Sequence, residues 1–102
     1  MAVPQLPAGV RVKESSWLAR IAAAKLKSRS VALVIGSTIY LHGVSREKFL
    51  QNPTWVRHEL KHVEQYQRLG KINFLASYIA EWMRHGYHNN KFEIEAREAE
   101  EG

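Results

Sequence analysis

The hydrophobic positions of this chain change their period several times, and each change marks an element. From Ser16 to Lys27 the residues Trp17, Leu18, Ile21, Ala24 and Lys25 follow a three-to-four spacing, that of one helix face. The alanine-rich centre of this stretch has high helix propensity. Val31–Ile35 and Thr38–Leu41 are instead short β-branched runs, and Gly36-Ser37 between them is a hairpin signal. Gly43 ends the second strand. Ser45 to Leu50 predicts a short helical turn. Asn52-Pro53 then starts a helix, with Asn as N-cap and Pro at the first helical position. That helix runs to Leu69, where Gly70 supplies a left-handed stop. Asn73 can cap the next helix, Phe74 to His85, which Gly86 closes, and Asn89-Asn90 opens a last helix through Glu101. Residues 1–14, which hold all but one of the prolines, read as an extended lead-in. The order predicts one α+β domain over residues 1–102: an N-terminal helix, a β-hairpin or small sheet, and then helices.

Composition narrows the function classes. A chain of 102 residues suits one small domain with a real but modest core. Cysteine is absent, which excludes a disulfide framework and a thiolate metal site and fits a reducing cytosol. The N-terminal stretch lacks the apolar run of a signal peptide. The apolar stretches Val31–Ile35 and Phe74–Met83 are too short to span a bilayer, and Glu81 interrupts the second. The expectation is a soluble, cytoplasmic protein without a membrane partner. The formal net charge is +5, but the basic residues are spread along helices, and the stretch Glu93–Glu101 is acidic. No strand interleaves aromatics with arginine, so nucleic acid is not expected as a partner.

The most defined chemistry lies in His58-Glu59-Leu60-Lys61-His62, an H-E-x-x-H pattern. On a helix this spacing puts two imidazoles one turn apart on one face, where both can reach a zinc ion. Glu59 beside them can act as base for a water activated by the metal. A wheel drawn at about 100° per residue gives an independent argument. Arg57, Lys61, Glu64 and Arg68 cluster on the predicted solvent arc, opposite Trp55, Val56, Val63, Tyr66 and Leu69. Glu59 falls in the middle of the buried arc, with His58 and His62 on its shoulder. Burying these groups bare costs several kcal/mol, and a zinc ion would partner them. The plainer alternative is two histidines hydrogen-bonded in the core with Glu59 in a salt bridge.

A catalytic zinc usually takes three protein ligands and keeps one position open. Gln65 and Arg68 stand where an H-E-x-x-H-x-x-G-x-x-H motif would place its glycine and third histidine, so that route is excluded. A carboxylate from the last helix remains, either Glu93 or Glu95, which point in nearly opposite directions. Glu93 is favoured because Ala96, one turn on, lets the helices approach closely, whereas Glu95 neighbours Arg97 and Glu98.

His58–His62 followed by Phe92-Glu93-Ile94-Glu95-Ala96 resembles the gluzincin metallopeptidases. Within them the likeness is to the minigluzincins, very short soluble proteins similar to the catalytic cores of integral-membrane peptidases. It covers roughly residues 30–100 in element order. Their Glu-x-x-Ala-Asp pattern makes Glu93 the third ligand and Ala96 the alanine. The Asp position is Arg97, so the acid that supports a motif histidine is displaced, and Glu95 or an Asn can substitute. Gln65 after the motif also recurs in uncharacterised H-E-x-x-H-x-x-Q proteins.

The resemblance implies a zincin-like domain with Zn2+ held by His58, His62 and Glu93. It implies hydrolysis of a peptide or unfolded protein substrate with Glu59 as general base. It also implies an edge strand that pairs with substrate, for which Thr38–Leu41 is the counterpart. Tyr78, Tyr87 and His88 are candidates for stabilising a developing oxyanion, each more often a packing or surface residue. Phe74, Tyr78 and Trp82, with Leu75, Ile79 and Met83 beside them, read as core backing, and His42 and His85 as surface or capping residues. The alternative function is a non-catalytic or regulatory zinc-binding protein, or a latent peptidase whose cleft is filled by a terminal segment or by self-association.

Overall fold

Gly36, with φ of +64°, turns a tight hairpin and sets the register of Val31–Ile35 (β2) against Thr38–His42 (β3). In the computed structural model, which describes residues 6–101, a third strand joins them. Arg11–Lys13 (β1) runs parallel to β3, so the sheet order is β1-β3-β2. Within the extended lead-in expected over residues 1–14, residues 11–13 thus pair with the sheet, while residues 1–5 lie outside the described residues. Only Val12 of this three-residue strand turns inward, too short a pattern to show period two. β3, expected at the edge, is the central strand, with Ile39 and Leu41 fully buried. β2 forms one edge of the sheet.

The two faces of the sheet carry different helices. Trp17–Leu26 (α1) packs Ala19 and Ala23 against Val31, and Leu33 and Tyr40 join this cluster. Small residues there let helix and sheet approach closely. On the other face Val34, Ile39 and Leu41 meet Val56, Val63 and Tyr66 of Pro53–Leu69 (α3), together with Phe49 of Arg46–Leu50 (α2). Ser45 caps α2, and Asn52 caps α3 by accepting from Trp55 N at 3.1 Å, with Pro53 in the first turn. A cap of this kind contributes about 1 kcal/mol.

Lys71–His85 (α4) starts earlier than Asn73 predicts. Gly70, at φ +86°, ends α3 by donating to Tyr66 O at 2.8 Å and begins α4 by accepting from Phe74 N at 2.9 Å. One glycine therefore joins two helices, and α4 needs no side-chain cap. Of its apolar residues only Phe74 is buried, and Ile72 and Met83 are 81% and 83% exposed, so α4 backs the core less than its pattern suggests. Lys91–Ala99 (α5) packs along α3, with Phe92 and Ala96 buried. The fold is α+β, with five helices and a three-stranded mixed sheet among the described residues. None of the described helices is long and apolar enough to cross a membrane.

A candidate metal centre

One turn of α3 separates His58 from His62 and brings their rings to 5.1 Å between centroids. Glu59 and His62 are buried, and the His58 side chain is 12% exposed. Arg57 and Lys61 of the predicted solvent arc are only half-buried, whereas Glu64 and Arg68 are exposed. The wheel does not anticipate Gln65, which is fully buried.

The third element of the centre is the first turn of α5. Asn90, fully buried, accepts from Phe92 N at 2.9 Å and donates through Nδ2 to Tyr78 O at 3.2 Å, pinning the start of α5 to α4. Ala96, one turn on, is fully buried, and this close approach carries Glu93 into the interior. Glu93 Oε1 lies 3.0 Å from His58 Nε2 and 3.2 Å from His62 Nε2. His58, His62 and Glu93 each offer a ligand atom within 4.8 Å of the others, a group that can hold one metal ion. Glu95 turns away toward Arg68, at 3.2 Å, and toward Gln65.

The outer ring nitrogens decide what faces the centre. Gln65 Nε2 donates to Phe92 O at 3.1 Å and to Glu95 Oε1 at 2.9 Å, so Gln65 Oε1 is left as an acceptor. It stands 2.8 Å from His62 Nδ1, which must then donate. Glu100 Oε2, 2.6 Å from His58 Nδ1, is likewise an acceptor when ionised. When neutral, both rings are thereby Nδ1–H tautomers, with their Nε2 lone pairs turned onto a Glu93 carboxylate oxygen. Three lone pairs at such distances repel unless a cation lies among them, either a proton or a metal ion. Two imidazoles and a carboxylate, without thiolates, are a donor set suited to zinc.

The charges set one another's proton affinity. At His58 burial acts downward, but the hydrogen bonds to Glu93 and Glu100 and the nearby Glu59 and Glu93 charges outweigh it and raise the pKa to about 9. His62 is raised by the same balance, with burial opposed chiefly by Glu93. At Glu93 burial acts upward and is overcome by hydrogen bonds from His58 and His62, which hold the carboxyl well below its ordinary range. Burial pushes Glu59 up to about 7 against the pull of the two histidines. A cation at the centre would favour the charged form of both carboxylates.

Of the three oxyanion candidates, two reach this region. Tyr78 O–H donates to Glu93 Oε2 through a short hydrogen bond, and Tyr87 lines the same cavity. Burial and the Glu93 charge raise the pKa of both phenols, keeping them as donors. His88 is exposed, and its carbonyl accepts from Arg97. A cavity of about 640 Å³ opens over the centre, walled by Val31–Val34 of β2, Leu75 and Trp82 of α4, and Glu100. Leu41 O bonds to Ser16 N at 2.9 Å and Val34 O accepts from Tyr66 O–H at 3.0 Å, which fixes the hydrogen-bond phase of the sheet. Ala32, opposite Leu41, therefore directs its N–H and C=O outward along this cavity. The strand placed to pair with an extended segment is β2, not Thr38–Leu41, because β3 is bonded on both sides.

Two residues of the centre escape sequence reasoning in their roles. Gln65 lies three after His62, on the same helical face, which was a readable signal. Glu100 lies seven after Glu93, again one face, but its contact with His58 spans 42 positions and needed the packed helices. Glu95, weighed as a substitute support, acts on His62 only through Gln65. No family model, curated protein or solved structure matches this chain significantly.

Proposed function

We propose that the protein is a zinc-dependent metallopeptidase of gluzincin type, acting on a peptide or unfolded protein. The observation that carries this reading is the convergence of His58 Nε2 and His62 Nε2 on one Glu93 oxygen, while both Nδ1 atoms face acceptors on the outer side. His58, His62 and Glu93, which all line the cavity, would hold the ion. When bound, zinc supplies Lewis acidity, lowering the pKa of a water and polarising a carbonyl. Glu59, buried on the same helical face and lining the cavity, takes the proton of the attacking water and passes it to the leaving amine. The outward N–H and C=O of Ala32 pair with the extended substrate backbone, and Tyr78 holds Glu93 from behind. The likeness of His58–His62 and Phe92–Ala96 to the gluzincins supports the same assignment and a zincin-like fold.

A second reading, a zinc-binding protein without turnover, is favoured by one observation. β2 is only five residues long, and its Val34 carbonyl is already taken by Tyr66, which shortens the edge left for a substrate. One paired measurement separates the two: zinc stoichiometry and hydrolysis of an unfolded protein, for the wild type and Glu59→Gln. Zinc retained with hydrolysis lost in the variant supports the peptidase. Zinc in both without hydrolysis in either supports the second reading, and no zinc at neutral pH with excess metal overturns both.

A further inference from the structure

We infer that Glu100 is a positioning residue of the metal centre, holding His58 in the Nδ1–H tautomer that leaves Nε2 for the ion. This rests on the metal-binding reading above and extends it to the end of α5. Glu93 and Ala96 of α5 and Glu100 at its C-cap recur at helical spacing on one face, so the face that brings the ligand carboxylate also brings a second one. The two carboxylates take opposite sides of one imidazole: Glu93 Oε1 at 3.0 Å from Nε2 and Glu100 Oε2 at 2.6 Å from Nδ1. A carboxylate on the outer nitrogen fixes ring orientation and makes the inner nitrogen a more basic ligand.

Glu100 is itself held from the residue preceding His58. Arg57 Nε and Nη2 donate to the Glu100 carbonyl at 3.0 and 2.7 Å. The backbone of Glu100 is thus fixed by one residue of α3 and its side chain engages the next. Arg97, standing four after Glu93, turns instead to the carbonyl of His88. The two motif histidines consequently have unlike supports, a carboxylate for His58 and the neutral amide of Gln65 for His62.

Because Arg57 grips the carbonyl, removing the Glu100 side chain leaves that anchor in place, and tautomer control can be tested apart from helix anchoring. Zinc affinity is measured on the full chain by competition with a chromophoric chelator, for the wild type, Glu100→Ala, Glu100→Gln and Glu93→Ala. Two-bond nitrogen–proton NMR of the zinc-loaded wild type reports which His58 nitrogen carries the proton. Glu100→Ala is expected to weaken zinc binding by about 10–100-fold, the usual effect of losing an outer support. Glu100→Gln is expected to recover most of it, since an amide oxygen still accepts from Nδ1–H. The NMR spectrum is expected to show His58 protonated at Nδ1.

Should Glu100→Ala lose its helical circular dichroism, Glu100→Met, which keeps the stem without an acceptor, takes its place with the same expectation. Zinc bound by the wild type and lost in Glu93→Ala, with the acceptor-free Glu100 variant within about twofold of wild type, would overturn this role for Glu100 alone. A His58 ligating through Nδ1 would do the same. A wild type that binds no zinc overturns the metal centre, and this inference with it.

Discussion

An imidazole can present either nitrogen to a metal, and here the outer nitrogens face acceptors, Gln65 beside His62 and Glu100 beside His58, which leaves the inner nitrogens for an ion. Gln65 is compelled to accept from His62 because its amide donor is spent on Phe92 O and Glu95. Truncations should therefore be graded by distance from the ion. Glu93→Ala removes a ligand and should abolish tight zinc binding. Gln65→Ala should weaken it by about 10–100-fold, and Glu95→Ala by less, because the Phe92 carbonyl still orients the amide. Chelator competition gives all three values, and equal losses for Glu95→Ala and Glu93→Ala would contradict the ligand assignment. The H-E-x-x-H pattern and the placement of Glu93 rather than Glu95 beside its histidines were legible, the first as a spacing and the second from Ala96 one turn on. The support for His58 was not, because it joins α3 to the end of α5 across a contact that only packing creates.

At the scale of elements, the site depends on where helices begin. Asn52 and Asn90 each cap a helix that carries residues of the candidate metal group, and both caps were readable as Asn before a helical period. Asn52→Ala leaves Trp55 N without its acceptor at 3.1 Å. It should cost about 1 kcal/mol in chemical denaturation, with zinc stoichiometry unchanged because His58 lies beyond the first turn. β1 and the shared glycine between α3 and α4 were less legible for different reasons. A three-residue strand offers one inward side chain, and Gly70 caps by backbone geometry, which leaves no side-chain signal. The order of strands shapes the candidate site more than their existence does. Adding β1 to the sheet makes β3 central and leaves β2 as the edge over the metal group.

For the whole molecule, a metal ion held by this group would couple folding to binding. His58 and His62 come from α3 and Glu93 from α5, 35 and 31 positions away, so an unfolded chain holds no assembled site. Zinc should then stabilise the folded state, by about 4 kcal/mol at a free concentration a thousand times the Kd. In a domain of this size each kcal/mol moves the melting temperature by about 4–8 °C. The effect should grow with pH, and the sign follows from the shifted groups. His58, raised to about 9 in the fold, contributes stability below its ordinary 6.5 that is lost as pH rises through 9. Glu59, raised to about 7 by burial, contributes stability below 4.5 that is lost as pH rises through 7. Glu93, depressed by the histidines, works in the opposite sense, but only as pH falls below the ordinary carboxylate range. The chelated protein should therefore melt at progressively lower temperature from pH 6 to pH 9, a window set by these pKa values. Over the same window zinc displaces fewer protons from the histidines and binds more tightly. The gap between zinc-loaded and chelated melting temperatures should widen from pH 6 to pH 9 in the wild type and vanish in Glu93→Ala. Scanning calorimetry with zinc or with a chelator measures it directly, and a gap that narrows with rising pH would mean the histidines do not carry the ion.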